Sequence, residues 1–206
     1  MQLSSKFIEA AVEEMASLPG IGRKSALRLV LTLVKRDEQS VRRFAKAFTD
    51  LKENICLCSK CYTLSDESLC NICRNPNRDG STICVVEDVR DVLAIENTHF
   101  YKGMYHVLGG RISPMDGIGP DDLQLQSLFQ RMEDEDVNEL ILALSPTMEG
   151  ETTSFYIYRK LKDKDVILST IAKGIGVGTE LEYADELSLG RSIEHRTPFE
   201  ASLHRS

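Results

Sequence analysis

The chain has 206 residues, 42% of them hydrophobic, with a formal net charge of −7. That length buries the core of one or two compact domains, and no apolar run approaches the ~20 residues of a membrane span. A uniformly basic nucleic-acid binder is excluded, but the charge is uneven: residues 1–54 hold ten Lys and Arg against seven Asp and Glu, or +3, leaving −10 for the rest. Any phosphate-binding surface therefore belongs at the N-terminal end or in the segment after it, whereas the acidic remainder suits a metal or a basic protein partner.

Phe7, Ile8, Ala11, Val12 and Met15 recur at helical spacing and predict an amphipathic helix from about Ser5 to Ala16. Leu18-Pro19-Gly20-Ile21-Gly22 follows, with Pro19 as the stop, two glycines free to take unusual backbone angles and Ile21 as an apolar peg. A second helix begins at once, with Ala26, Leu29, Val30 and Leu33 on one face. A glycine hairpin opening a helix presents backbone N–H groups at the positive end of the helix dipole, which suits a phosphate oxygen. Gly20, Gly22, Arg23, Lys24 and Arg28 are the candidate DNA-backbone contacts; the alternative is a tight turn between helices. A P-loop is excluded by the glycine spacing before Lys24-Ser25. Val41, Phe44, Phe48 and Leu51 mark a third helix that carries Arg42, Arg43, Lys46 and Lys52 outside.

Two Cys-x-x-Cys pairs come next, Cys58-Ser-Lys-Cys61 and Cys70-Asn-Ile-Cys73. Zinc takes four thiolates in a tetrahedron, and each pair lets one backbone corner supply two of them. Four protein ligands leave no position for water, so one structural zinc per chain is expected, holding together a segment too short for its own core. Cys56 is one residue from Cys58, a poorer corner, and Cys84 lies in the apolar run Ile83–Val86 and reads as a small buried hydrophobe. A thiolate cluster behind a start without an export signal points to the reducing cytoplasm.

From Ser81 the pattern turns α/β. Strands are expected at Ile83–Val86, Tyr105–Leu108, Leu140–Leu144 and Val166–Leu168, separated by helical patterns, the first of them capped by Asp88. Wholly apolar strands alternating with helices predict a parallel sheet covered on both faces. The glycine- and proline-rich stretch from Gly109 to Pro120 is long for a compact domain and is a functional candidate. Glu87 follows the first strand and Glu149-Gly150-Glu151 the third, so three carboxylates fall at the ligand-binding edge of such a sheet, a Mg²⁺ site in outline. Equally, Glu149 and Glu151 suit the first turn of a helix as complements to its dipole.

The order of these parts resembles the bacterial RecR family of recombination mediators over nearly the whole chain. The resemblance rests on Leu18–Ser25, the cysteine set, Gly110–Leu123, Ser145–Glu151 and Leu181–Leu187. It implies a helix-hairpin-helix region at 1–54, a four-cysteine zinc finger at 55–79, a Toprim domain at 80–173 and a C-terminal segment at 174–206 with a Walker B-like stretch. It also implies a non-enzymatic role: acting with RecO, and in some bacteria RecF, the family helps load the RecA recombinase onto single-stranded DNA, as a tetrameric ring able to encircle DNA. Catalytic Toprim domains carry Asp-x-Asp where this chain has Glu149-Gly-Glu151, so Glu87, Glu149 and Glu151 read as a partner-binding or weak Mg²⁺ surface. The alternatives are a Mg²⁺-dependent Toprim nuclease or nucleotidyl-transfer enzyme, and a purely structural interaction protein.

Without a phosphate loop the Walker B-like stretch reads better as a packing or subunit-contact helix, with Leu181, Ala184, Leu187, Leu189 and Ile193 at helical spacing. The four histidines, His99, His106, His195 and His204, form no ligand spacing and receive no role.

Overall fold

The computed structural model describes residues 5–172 and 174–200. His204 lies outside them. The chain divides after Ile55 into two compact units.

The first unit holds three helices, α1 (Lys6–Ala16), α2 (Arg23–Val34) and α3 (Glu38–Asn54). Val12, Ala26 and Val30 are its buried centre, with Ile8, Met15, Ile21 and Leu27 packed around them, so Ile21 is indeed a peg between two glycines. Gly20 has φ +79°, a conformation L side chains rarely adopt, and the hairpin closes there through Ile21 N–H to Leu18 O, 3.1 Å. Asp37 caps α3 by accepting from Ser40 N–H at 2.9 Å. Although strongly amphipathic, α3 buries none of its residues.

The second unit begins with a short antiparallel ladder, β1 (Cys56–Leu57) on β2 (Leu64–Ser65), and a single helical turn, α4 (Asn71–Arg74). A four-stranded sheet follows: β3 (Asp79–Val86), β4 (Gly103–Val107), β5 (Glu139–Leu142) and β6 (Ile167–Thr170), interleaved with α5 (Val89–Glu96), α6 (Leu125–Asp134) and α7 (Met148–Leu161), and ending in α8 (Glu186–Glu194). The order is β4-β3-β5-β6 and every pairing is parallel, as the alternating pattern predicts. Side chains alternate along β3: Ile83 and Val85 join the core with Leu108, Leu128, Leu140 and Ile157, while Cys84 and Val86 face Val92, Tyr105 and Val107. Cys84 is thus a buried hydrophobe, its thiol pushed up to about 12 by burial.

The strands are not all apolar. β6 runs past Leu168 through Ser169 and Thr170, because register with β5 (Glu139↔Ile167 to Leu142↔Thr170) carries the ladder on and Ser169 Oγ bonds Glu139 Oε1 at 2.5 Å. Sheet register, not hydrophobicity, sets its end. Asp88 caps α5 in a reciprocal box with Asp91. The glycine-rich stretch is compact, with two 3₁₀ turns, Pro114–Asp116 and Pro120–Asp122, and a bridge between Ser113 and Ile118. The Leu181–Ile193 region holds a 3₁₀ turn at Leu181–Tyr183 and then α8.

Candidate functional site

Three places bear the expected chemistry. In the first unit, Gly22 is the N-cap of α2 and supplies no capping side chain, and the first turn holds no acid, so the leading N–H groups stay open to an anion. Arg23, Lys24 and Arg28 are exposed around them. Arg23 Nη2 lies 3.4 Å from Glu9 Oε1, a surface pair that a phosphate can displace at little cost. Lys24 and Arg28 share a shallow depression of about 340 Å³ with Leu27, Leu31 and Lys35. Lys35 escaped the sequence reading; its signal was the spacing of Lys24, Arg28 and Lys35 along one side of α2.

In the second unit, the ligand atoms of Cys58, Cys61, Cys70 and Cys73 lie within 4.8 Å of one another. Four sulfurs about 2.3 Å from one ion stand roughly 3.8 Å apart in a tetrahedron, and Cys61 Sγ to Cys70 Sγ is 3.6 Å. The first corner turns through Tyr62 at φ +62° with Tyr62 N–H to Cys58 O at 2.9 Å, and the second through α4. Backbone N–H groups point at the sulfurs: Cys70 N to Cys58 Sγ 3.3 Å and Cys73 N to Cys70 Sγ 3.4 Å. Burial works against the Cys58 thiolate, but N–H donors from Cys70, Cys61 and Lys60 overcome it and bring the thiol down to about 6. The charge settles on Cys58 alone: the hydrogen bond to Cys73 and burial push the Cys61 thiol up, and burial pushes Cys70 up to about 11, so it is the four-sulfur geometry that fits one zinc. Cys56 stands apart, exposed, its Sγ donating to Ser65 O (3.2 Å) and Glu67 O (3.3 Å).

The finger is docked on the sheet. Val107 N–H of the outer strand β4 donates to Cys61 O at 2.8 Å, Tyr62 packs on His106 with ring centroids 5.4 Å apart, and Lys60 Nζ is 3.2 Å from Glu135 Oε2. His106, given no role from sequence, is fully buried here and bonds Gln124 O through Nε2 at 2.7 Å. Burial drives its pKa down to about 4 and keeps the ring neutral.

At the carboxyl edge of the sheet, Glu87 is 8% exposed. Its Oε1 accepts from Ser145 N–H at 2.8 Å and its Oε2 from Arg111 Nη1 at 3.0 Å. Burial pushes against ionisation, but the Ser145 and Arg111 donors win and hold the carboxyl below the usual range. Glu149 and Glu151 stand in the first turn of α7, and Glu151 Oε1 lies 3.3 Å from Arg191 Nη2 on α8. Among the described residues the four cysteines gather as a metal-ligand group; the three glutamates do not. Sequence reasoning missed Arg111, whose signal was its place as the one basic residue in the Gly109–Pro120 stretch.

A three-helix unit with an open hairpin N-terminus, a four-thiolate finger and a parallel sheet edged with carboxylates define a mixed α/β protein with a structural zinc site. Family models match in the same order: the RecR helix-hairpin-helix over residues 8–52, the RecR four-cysteine zinc finger domain over 55–75, the Toprim domain over 81–172 and the RecR C-terminal region over 174–197. Curated proteins called "Recombination protein RecR" are similar throughout: 58% identical over 198 residues in Phocaeicola vulgatus, covering 96% of this chain and 97% of the relative, and 55% over 203 residues in Flavobacterium johnsoniae, covering 98% of each. The relative from Porphyromonas gingivalis strain W83 is 56% identical over 200 residues, with 97% of each chain covered. The chain belongs to the RecR family of recombination proteins. No described helix is long and apolar enough to cross a membrane.

Proposed function

We propose that this protein is a non-catalytic DNA-binding mediator of recombinational repair that helps load the RecA recombinase onto single-stranded DNA, working with RecO and in some settings RecF. The observation that carries the reading is the uncapped start of α2, flanked by Arg23, Lys24 and Arg28. N–H groups and cations of this kind hold a phosphate and read no bases. Glu149 and Glu151, with the rest of the acidic second unit, form the surface for a basic protein partner, while Glu87 is buried against Ser145 and Arg111.

Self-assembly into a ring-like tetramer is supported by the first unit alone. Leu18, Leu29 and Phe48 are exposed and, with the half-buried Phe44, line an apolar groove of about 710 Å³ that a second copy can cover. Several copies around one channel add weak backbone contacts by avidity. A four-cysteine zinc-ligand set suits the reducing cytoplasm.

The test is DNA binding against salt by the zinc-loaded protein, with and without RecO. Affinity is expected to fall steeply with salt and to be indifferent to sequence, and Arg23→Ala with Lys24→Ala is expected to weaken every DNA alike. Unchanged affinity in the double variant would remove the hairpin from the interface.

A further inference from the structure

A Toprim sheet edge implies a divalent cation, and the residues present here do not fit one. Mg²⁺ needs carboxylate oxygens at about 2.0–2.1 Å in near-octahedral order. Both oxygens of Glu87 are engaged, one by the Ser145 N–H at 2.8 Å and the other by the Arg111 guanidinium at 3.0 Å.

Arg111 is not a stray surface side chain. The backbone is fastened on both sides of it, by Gly109 N–H to Glu87 O at 3.0 Å and by Ile112 N–H to Thr153 Oγ1 at 2.9 Å. Thr153 lies two residues beyond Glu151 on α7, so these bonds tie Arg111 to the elements that carry all three glutamates. Glu149 and Asp116 also act on Arg111 electrostatically, in the same sense as Glu87. A guanidinium thus stands among carboxylates at this edge, its backbone fastened and its side chain 41% exposed.

We propose that Arg111 is the resident cation of this carboxylate edge: it takes the electrostatic place of the divalent ion and excludes that ion from Glu87. A second cation beside the guanidinium would meet like-charge repulsion, which lowers its affinity for Glu87. The edge keeps its buried carboxylate ionised without metal, and its outer acids, Glu149 and Glu151, are left to protein contacts. The inference stands whether or not the hairpin binds DNA.

Mn²⁺ serves as the probe, titrated into zinc-loaded protein and followed by loss of the free-ion electron paramagnetic resonance signal. Wild type is expected to show no saturable Glu87-dependent uptake at millimolar Mn²⁺. Arg111→Ala is expected to gain at least about tenfold in Mn²⁺ affinity, as loss of an adjacent positive charge requires, and Glu87→Gln in that background to abolish the gain. Arg111→Lys, which keeps a cation, is expected to stay silent. Saturable uptake by wild type that Glu87→Gln removes would overturn the proposal, as would a folded, zinc-replete Arg111→Ala protein without gain. Should Arg111→Ala fail to fold, wild type against Glu87→Gln still decides.

Discussion

Gly150 packs so closely against Ser145 that a Cβ at position 150 would fall inside the Ser145 carbonyl. The same Ser145 donates its N–H to Glu87 Oε1 at 2.8 Å, so the first turn of α7 and the end of β3 are referenced to one residue. The glycine of Glu149-Gly150-Glu151 is there for close approach, which lets α7 start directly over the sheet edge.

Gly150→Ala therefore forces backbone to move and does not merely restrict it. We expect a loss of about 2–3 kcal/mol, the range of overpacking at a buried site. Thermal unfolding measures it, and a variant within about 0.5 kcal/mol of wild type, the range of an ordinary surface substitution, would refute the close contact.

Zinc should control the outer edge of the sheet, which the finger covers. β4 is an outer strand, and the backbone carbonyl of Cys61, itself a ligand, accepts from Val107 N–H at 2.8 Å. Chelation should release that carbonyl and quicken hydrogen exchange at Val107 by about fivefold or more, the equivalent of one net hydrogen bond of about 1 kcal/mol. Cys61→Ser should do the same and lose zinc. Cys56→Ser, which removes a thiol bonded to Ser65 O and Glu67 O, should keep full zinc content; loss of metal there would make Cys56 a ligand.

The features legible in the sequence were the local ones. Ligand spacing within Cys58–Cys73 is fixed by the turn geometry of each corner, and Gly20 announces a hairpin because few other residues accept its φ of +79°, whereas Gly22 holds ordinary extended backbone. Strand positions followed from apolar runs, but Ser169 and Thr170 in β6 were invisible, since pairing with Ile141 and Leu142 decides their state. Arg111 and Glu87 are 24 residues apart and meet only after β3 and the loop beyond β4 are assembled. His106 looked idle because its burial comes from tertiary contacts, with Tyr62 of the finger against its ring and Gln124 O on its Nε2. Tertiary contacts made those residues what they are.

His106 should make the protein acid-sensitive. Its folded pKa, about 4, lies below the ordinary histidine value near 6.5, so the unfolded chain binds the extra proton first. The stabilisation is complete above pH 6.5 and is lost as pH falls from there toward about 4, at up to about 1.4 kcal/mol per pH unit. Glu87, with a lowered pKa, adds its own loss only further down, as pH falls below the usual glutamate range. Denaturant unfolding at several pH values, wild type against His106→Gln, isolates the histidine, since zinc release by acid is common to both. Parallel stability curves would show that the ring is not buried neutral.

The basic side of α2 extends the hairpin surface along the helix. Lys24, Arg28 and Lys35 border one depression, and eleven residues at 1.5 Å each separate Lys24 from Lys35 by roughly 16 Å, enough for a DNA backbone to touch both. Lys35→Ala should therefore weaken DNA binding, though less than the Arg23/Lys24 double change, because it lacks the helix N-terminus beside it. One lost phosphate contact lowers the slope of log affinity against log salt by about 0.7 on single strands and 0.9 on duplex. Fluorescence anisotropy across a salt series reads both quantities. A variant that loses affinity with an unchanged slope would assign Lys35 to folding or subunit contact instead of phosphate.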